Sequence, residues 1–325
     1  MRKSLVRAAV AAAAATVVLS GCSAATETPA TTNSASASAE LEIVDTTFDG
    51  PHGSVPIRIY QVPGSSPENG LLWLHGGAFM FGDLEMLESH WVAQQLATED
   101  RVVIAVDYRL APIPEGLGPD APPRDGHFFP VASEEVAALT EALMTTDDIS
   151  DADSWVIGGA SAGGNIAAGV TLRLRDSGAA EPAGLLMAYP FLHAELPEFR
   201  PELVDKLAAL PEPTSEQQAN TGASDLALYY VGGDSAVLAD PYAFPGGHNL
   251  ENLPSTFIVN SDADFLRASG EAYASELAAA GVDVQVVRET GTVHGHLDGP
   301  DKAGSSASIH RMDHWLAGIE SGTAD

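Results

Sequence analysis

The sequence has little cysteine and few basic side chains. Cys22 is the only cysteine among 325 residues, so no disulfide can form within the chain. Lys and Arg number 15 against 45 Asp and Glu, which gives a formal net charge of −30 at pH 7. This charge argues against nucleic acid, anionic lipid headgroups and polyanionic substrates as partners, because each would be repelled.

Long apolar runs are also scarce, and the clearest one has the layout of a secretory signal. A basic start is followed by an alanine-rich stretch over 8–19, which is short for a membrane span. It ends Leu19-Ser20-Gly21-Cys22, which resembles the lipobox of bacterial lipoproteins. The resemblance implies a signal peptide over 1–21 and lipidation of Cys22. The alternative is an ordinary signal peptide with an incidental cysteine.

The stretch over 22–40 consists almost entirely of Ala, Ser and Thr. It has no apolar periodicity, which predicts a flexible tether with a reach on the order of 25 Å. A lipid at Cys22 would then anchor the protein to the outer face of a bacterial cytoplasmic membrane. The tether would hold a domain over 41–325 just off that membrane.

Apolar strand-like runs alternate with helix-like segments through the domain. This alternation predicts an α/β fold with a doubly wound, mostly parallel sheet and helices on both faces. Predicted strands lie at 41–44, 55–60, 71–74, 102–106, around Trp155, and at 185–189, 256–259 and 282–287. Predicted helices lie at 85–97, 134–143, 165–174, 271–280 and 307–318.

Two stretches interrupt the alternation. The first, 111–130, is rich in Pro and Gly and long for a connection. The second, 192–252, contains short helical segments at 201–209 and 224–231. It follows a predicted strand, so it would cover the carboxyl ends of the strands, where open α/β sheets bind ligands. We call this second stretch the cap.

One stretch of the chain, 154–164, has the form of a nucleophile elbow. An apolar run is followed by Gly159-Ala160-Ser161-Ala162-Gly163 and then by a helical pattern. Strand, tight turn and helix are the context in which G-x-S-x-G exposes a reactive serine. The five-residue pattern alone fits a plain Gly/Ser turn equally well, so the serine needs an oxyanion site, an acid and a histidine from elsewhere.

A glycine-rich loop follows the third predicted strand, with the sequence His75-Gly76-Gly77-Ala78-Phe79. We call it the oxyanion loop, because a glycine-rich loop after a strand at this position lets backbone N–H groups converge on one oxygen. A further donor is expected from Ala162, directly after the serine.

Five motifs in order resemble the hormone-sensitive-lipase-like esterases of the α/β-hydrolase superfamily. The oxyanion loop resembles the family's HGGGF, and the stretch over 159–164 resembles G-D-S-A-G-G. The other three are Val106-Asp107-Tyr108-Arg109-Leu110-Ala111-Pro112, Asp264-Phe265-Leu266-Arg267 and His294-Gly295. The resemblance covers about 41–318. By position it implies Ser161 as nucleophile, His294 as base and Asp264 as orienting acid. It also implies an oxyanion hole whose donors are Gly77, Ala78 and Ala162, with Gly76 shaping the loop.

The chain departs from the family pattern at several positions. Ala78 replaces the third glycine of the loop, which is compatible with a backbone donor if its φ is not positive. Ala160 replaces the aspartate before the nucleophile, and Phe265 replaces a proline after the acid. The family's N-terminal cap helices have no counterpart, which predicts a more open site.

Other histidines and aspartates compete for these roles. Asp262 and His296 each lie two residues from the preferred acid and base, and periodicity does not separate them; His296 could also line the pocket. His310 and His314 have the i, i+4 spacing of a metal site, although a solvated helix face is the more common reading. His75 is interpreted as a structural residue of the oxyanion loop.

The resemblance implies a serine esterase that hydrolyses small carboxylic esters through an acyl-enzyme, without cofactor or metal. The missing N-terminal cap helices and the cap over 192–252 lead us to expect short to medium acyl chains. Two alternatives remain open. One is peptide or amide hydrolysis on the same fold, and the other is a ligand-binding protein on a hydrolase scaffold. Such a receptor commonly lacks a triad member, and this chain has candidates for all three.

Overall fold

The computed structural model describes residues 40–115, 122–146, 149–150, 152–212 and 215–322. The predicted signal peptide, Cys22 and nearly all of the predicted tether lie outside the described residues. The described strands are β1 (Glu42–Gly50), β2 (Gly53–Gln61), β3 (Asn69–Leu74), β4 (Arg101–Val106), β5 (Ser154–Ala160), β6 (Gly184–Ala188), β7 (Thr256–Ala263) and β8 (Val284–Val293). The described α-helices are α1 (Leu87–Leu96), α2 (Val131–Thr145), α3 (Ala162–Ser177), α4 (Pro201–Ala208), α5 (Glu216–Tyr230), α6 (Arg267–Ala279) and α7 (Ser305–Glu320).

The strands form one eight-stranded sheet in the order β1-β2-β4-β3-β5-β6-β7-β8. The β1/β2 and β2/β4 pairs are antiparallel, and every other pair is parallel. The predicted α/β fold with a mostly parallel sheet is therefore confirmed. Because β3, β5, β6, β7 and β8 run in the same direction, the loops that follow them meet at one edge of the sheet.

Helices cover both faces of the sheet, which explains why the central strands are apolar throughout. Side chains alternate along each strand, so neighbouring residues enter different cores. Leu72 and Ile157 pack with α2, α3 and α6 on one face. Trp73 and Val103 pack with α1 and α7 on the other.

Several elements extend beyond their predicted bounds. Helix α5 begins at Glu216, eight residues before the predicted start, because Ser215 and Gln218 form a capping box there. Strand β8 continues to Val293, six residues past the predicted end. The sequence pattern does not reveal this part, because an edge strand lacks the continuous apolar run of a buried strand.

The cap contributes α4, α5 and a short 3₁₀ helix at Val237–Ala239. Helix α4 packs on α6 through an apolar cluster formed by Phe199, Leu203, Leu207, Ala219 and Ala268. Among the described residues, none of the helices has both the length and the apolar character that a membrane span requires.

Candidate active site

Ser161 stands on a sharp turn between β5 and α3. Its backbone has φ 51° and ψ −115°, a conformation that L-residues rarely adopt. Its N–H donates to the Ala188 carbonyl over 2.9 Å, which fixes the turn to the end of β6. A Cβ at Gly163 would collide with the Leu74 and His75 carbonyls, so this position requires glycine. The residue with this strained backbone, Ser161, lines the candidate active-site cavity.

Three predicted side chains form a continuous hydrogen-bonded series. The hydroxyl of Ser161 lies 3.0 Å from Nε2 of His294. Nδ1 of the same ring lies 2.7 Å from Oδ2 of Asp264. The other oxygen of Asp264 accepts the Leu266 N–H over 2.9 Å, and the carboxylate is buried. These side chains come from the ends of β5, β8 and β7, so the sheet edge brings them together.

The charge of Asp264 alters the basicity of His294. Burial alone would lower the pKa of His294, but the charge and hydrogen bond of Asp264 and the charge of Glu88 outweigh it and raise the pKa. A raised pKa favours proton uptake from the serine during attack.

The oxyanion loop presents backbone donors beside Ser161. Gly77, Ala78 and Ala162 line the cavity, and their N–H groups have no acceptor among the described residues. The N–H of Gly76 instead donates to Oε2 of Glu88 over 2.6 Å, so Gly76 shapes the loop and is not free to bind an oxyanion. The three predicted donors, Gly77, Ala78 and Ala162, therefore each have an N–H available among the described residues.

The backbone of Ala78 does not meet the condition, stated above, that its φ is not positive. Its φ is 53°, in the left-handed region that favours glycine. The loop thus has a glycine-like backbone although its third glycine is replaced. We expect this alanine to cost stability while leaving the donor N–H in place.

Glu88 is the functional candidate that the sequence argument missed. It belongs to α1, its side chain is 2% exposed, and it lines the cavity. Its oxygens accept from Gly76 and from the Tyr189 hydroxyl, the latter over 2.5 Å. The available signal was its spacing, since Glu88, Val92 and Leu96 lie at i, i+4 and i+8 on one helix face, where a carboxylate is out of place.

The rival acid and base lie elsewhere. Asp262 forms an ion pair with Lys206 and accepts the Gly291 N–H over 3.0 Å, whereas the hydrogen bond to the His294 imidazole goes to Asp264. His296 is buried between the hydroxyls of Ser261 and Ser308, at 2.8 and 2.7 Å. Burial lowers the pKa of His296 to about 4. The reading of His296 as a pocket-lining residue is wrong, because it belongs to the core beneath the site.

The other candidate histidines are His75, in the oxyanion loop, and His310 and His314, on α7. Nδ1 of His75 donates to the Gly76 carbonyl over 2.7 Å, and the ring stacks on Tyr108 at 4.6 Å. Burial lowers the pKa of His75, so the ring supports the oxyanion loop as a neutral group. Around His310 and His314, Asp313 accepts from Arg101 over 2.9 Å. Within the described part of the chain, no group of three or more His, Cys, Asp or Glu is arranged to hold a metal ion.

A cavity of about 440 Å³ opens above Ser161. Helix α5 of the cap forms part of its wall through Gly222, Ala223 and Leu226. The other walls are largely apolar, with three charged side chains. They include Phe81, Met86, Phe191, Phe265 and Leu266 together with Glu88, Asp298 and Lys302.

This chain is similar in sequence and in fold to known esterases. A family model described as the alpha/beta hydrolase fold matches residues 71–298. Esterase LipI of Mycobacterium tuberculosis is 33% identical over 267 residues, which cover 79% of this chain and 76% of that protein. Carboxylesterase NlhH of the same organism is 30% identical over 278 residues, with 80% and 76% coverage. An esterase structure from Pyrobaculum calidifontis matches with a TM-score of 0.70 at 25% identity, covering 87% of both chains.

Proposed function

The chain belongs to the α/β-hydrolase family, and from this premise we propose that it hydrolyses carboxylic esters through an acyl-enzyme on Ser161. The observation that carries the proposal is the hydrogen-bonded series Ser161–His294–Asp264. Beside it lie the N–H groups of Gly77, Ala78 and Ala162, which have no acceptor among the described residues. Relatives named esterase and carboxylesterase, similar over most of the chain, support the same reaction.

Each step of the reaction uses a group described above. His294 takes the proton of Ser161 as the hydroxyl oxygen attacks the ester carbonyl. Asp264 holds the imidazole in the required tautomer and stabilises the imidazolium. The N–H groups of Gly77, Ala78 and Ala162 stabilise the oxyanion of the tetrahedral intermediate. His294 then protonates the leaving alcohol, and water repeats the sequence to release the acid.

Turnover of a short-chain chromogenic ester tests the reaction. The wild type should release the chromophore, and Ser161→Ala should lower kcat by about 10⁴ to 10⁶-fold. Ser89→Ala is a matched control, because Ser89 is also buried but lies on α1 without a part in the mechanism. Equal turnover by the wild type and Ser161→Ala would refute the proposal.

The substrate range follows from the size and character of the cavity. A largely apolar cavity of about 440 Å³ accommodates a short or medium acyl chain with a small alcohol group. An apolar wall separates substrates by about 1–3 kcal/mol per methylene. We therefore expect a graded preference among chain lengths and poor action on long-chain triglyceride emulsions.

We also propose that Cys22 is lipidated and that the lipid anchors the protein to the outer face of a bacterial cytoplasmic membrane. The sequence over 1–40 supports this proposal. The wild type should partition with membranes, whereas Cys22→Ser should lack lipid. Mass spectrometry of the mature N-terminus measures this directly. A wild-type N-terminus that is unmodified, or that begins elsewhere than at Cys22, would contradict the proposal.

A further inference from the structure

Glu88 is a buried carboxylate at the active site that the ester mechanism above does not use. Its oxygen Oε2 accepts the Gly76 N–H over 2.6 Å. A Cβ at Gly76 would collide with the same oxygen, so the loop approaches Glu88 as closely as a glycine permits. Since Gly76 directly precedes the donors Gly77 and Ala78, this contact fixes the peptide that leads into the oxyanion hole.

The second oxygen of Glu88 connects to the histidine side of the site. Oε1 accepts the Tyr189 hydroxyl over 2.5 Å. That hydroxyl in turn accepts the Leu297 N–H over 3.3 Å, three residues after the catalytic histidine. The Tyr189 ring also lies edge-on to the His294 ring, with centroids 5.1 Å apart. The carboxylate of Glu88 thus contacts the oxyanion loop directly, and it contacts the segment from His294 to Leu297 through Tyr189.

The donors around Glu88 fit the ionised form. The Gly76 N–H can only donate, and the Tyr189 hydroxyl already accepts from Leu297. If Glu88 were protonated and donated to Tyr189, the tyrosine proton would need another acceptor. The contact between the Tyr189 hydroxyl and Oε1 of Glu88, at 2.5 Å, has the length of a hydrogen bond from a hydroxyl to a carboxylate.

The titratable groups that face Glu88 act in both directions. The net effect raises the pKa of Glu88, because burial is the largest influence and the charge of Asp298 adds to it. The Tyr189 hydroxyl, the charge of protonated His294 and the Gly76 N–H oppose it. The interaction with His294 is reciprocal, because the Glu88 charge also raises the pKa of that imidazole.

We propose that Glu88 is a positioning residue which, as a carboxylate, holds the oxyanion loop through Gly76 and stabilises the imidazolium of His294. It touches no reacting atom and acts through these two groups. The inference rests on the proposed ester hydrolysis and adds to it a charge outside the triad. It predicts that the carboxylate influences kcat and the pH profile more than it influences KM.

Three substitutions separate the two effects. Glu88→Gln keeps an acceptor for Gly76 and removes the charge, so the acidic limb of the kcat/KM profile should move to lower pH as the pKa of His294 falls. Glu88→Ala also removes the acceptor, so kcat should fall by about 10²-fold with little change in KM. Glu88→Asp keeps the charge on a shorter stem, so kcat should fall while the acidic limb stays near its wild-type position.

Glu85→Gln is the control, because Glu85 is an exposed carboxylate three residues away that pairs with Arg58. It should leave both kcat and the acidic limb unchanged. The proposal is overturned if Glu88→Gln has the wild-type acidic limb, or if Glu88→Ala keeps kcat within about threefold of the wild type. Circular dichroism identifies variants that fail to fold, and Glu88→Gln alone decides the charge effect if Glu88→Ala is one of them.

The failure of this inference differs from the failure of the proposed function. If only Glu88 has been misread, the wild type shows turnover that depends on Ser161 and the Glu88 variants match it. If ester hydrolysis itself is wrong, the wild type shows no turnover dependent on Ser161, and both proposals fall.

Discussion

At the residue scale, the aspartates near the end of β7 differ in what they contact. Asp264 is bonded to His294, whereas Asp262 pairs with Lys206 of the cap. Asp264→Asn should therefore lower kcat by about 10⁴-fold, because the imidazole loses its orienting charge. Asp262→Asn should keep kcat within about tenfold of the wild type. Steady-state kinetics of the two variants measures the difference, and the reverse result would move the acid to Asp262.

Asp262 should instead contribute to stability in a pH-dependent way. Burial would raise the pKa of Asp262, but the bonds to Lys206 and the Gly291 N–H and the charge of Arg288 lower it overall. A carboxylate with a lowered folded pKa stabilises the protein above its unfolded pKa of about 3.9, and this contribution is lost as pH falls through the folded value. Melting temperatures of the wild type and Asp262→Asn should differ at neutral pH and converge below about pH 4. A gap independent of pH would contradict this.

Ala78 is a second residue with a measurable cost. Its φ of 53° places its Cβ in a strained position that glycine avoids. Ala78→Gly should raise the free energy of unfolding by about 0.5–1 kcal/mol, less whatever packing its partly buried methyl provides. Because the donor N–H is retained, kcat should not fall. Denaturant unfolding and steady-state kinetics test the two expectations, and a less stable variant would mean that packing outweighs strain.

Residues that stand in short sequence motifs could be predicted, whereas residues whose role depends on contacts across the fold could not. Ser161, Asp264 and His294 stand in short patterns with a fixed order, so they could be proposed from the chain alone. The backbone of Ala78 depends on the loop around it, and sequence supplied only the condition on φ. Glu88 has no motif, because its partners Gly76 and Tyr189 lie 12 and 101 residues away.

At the scale of elements, α5 should control the preference for acyl-chain length. Leu226 on this helix lines the cavity, while Leu228, two residues on, is exposed. Leu226→Ala should raise kcat/KM for octanoyl relative to acetyl esters by up to about tenfold, because it enlarges an apolar wall. Leu228→Ala removes the same atoms from the surface and should leave the ratio unchanged. A ratio that moves equally in both variants would exclude α5 as a specificity wall.

Elements were predictable where burial was uniform. Strand β4 has six buried residues in succession, and its predicted bounds differ from the observed ones by one residue. The sequence pattern predicts the start of helix α5 too late in the chain, because the first half of the helix is rich in Gln, Asn, Thr and Gly and faces solvent in part. The predicted end of strand β8 is too early for a related reason, since six of its ten residues are exposed at the sheet edge.

At the scale of the whole molecule, the excess of acidic residues should bias substrate choice. The formal net charge is −30, and the cavity is lined by Glu88 and Asp298 against Lys302 alone. A neutral butyrate ester should therefore be hydrolysed faster than an ester whose acyl chain ends in a carboxylate. The ratio of their kcat/KM values should shrink as salt rises, because the Debye length falls from about 10 Å at 0.1 M to about 3 Å at 1 M. A ratio that salt does not change would show that the cause is shape rather than charge.

The distribution of the triad along the chain has a kinetic consequence. Ser161 and His294 are 133 residues apart, and the last two strands of the sheet provide the acid and the histidine. Parallel pairings between distant segments form slowly, because loop closure precedes the contacts that reward it. After dilution from denaturant, helical circular dichroism should therefore return before esterase activity. The interval between the two signals would time the docking of β7 and β8, which makes catalysis a reporter of the final step of assembly.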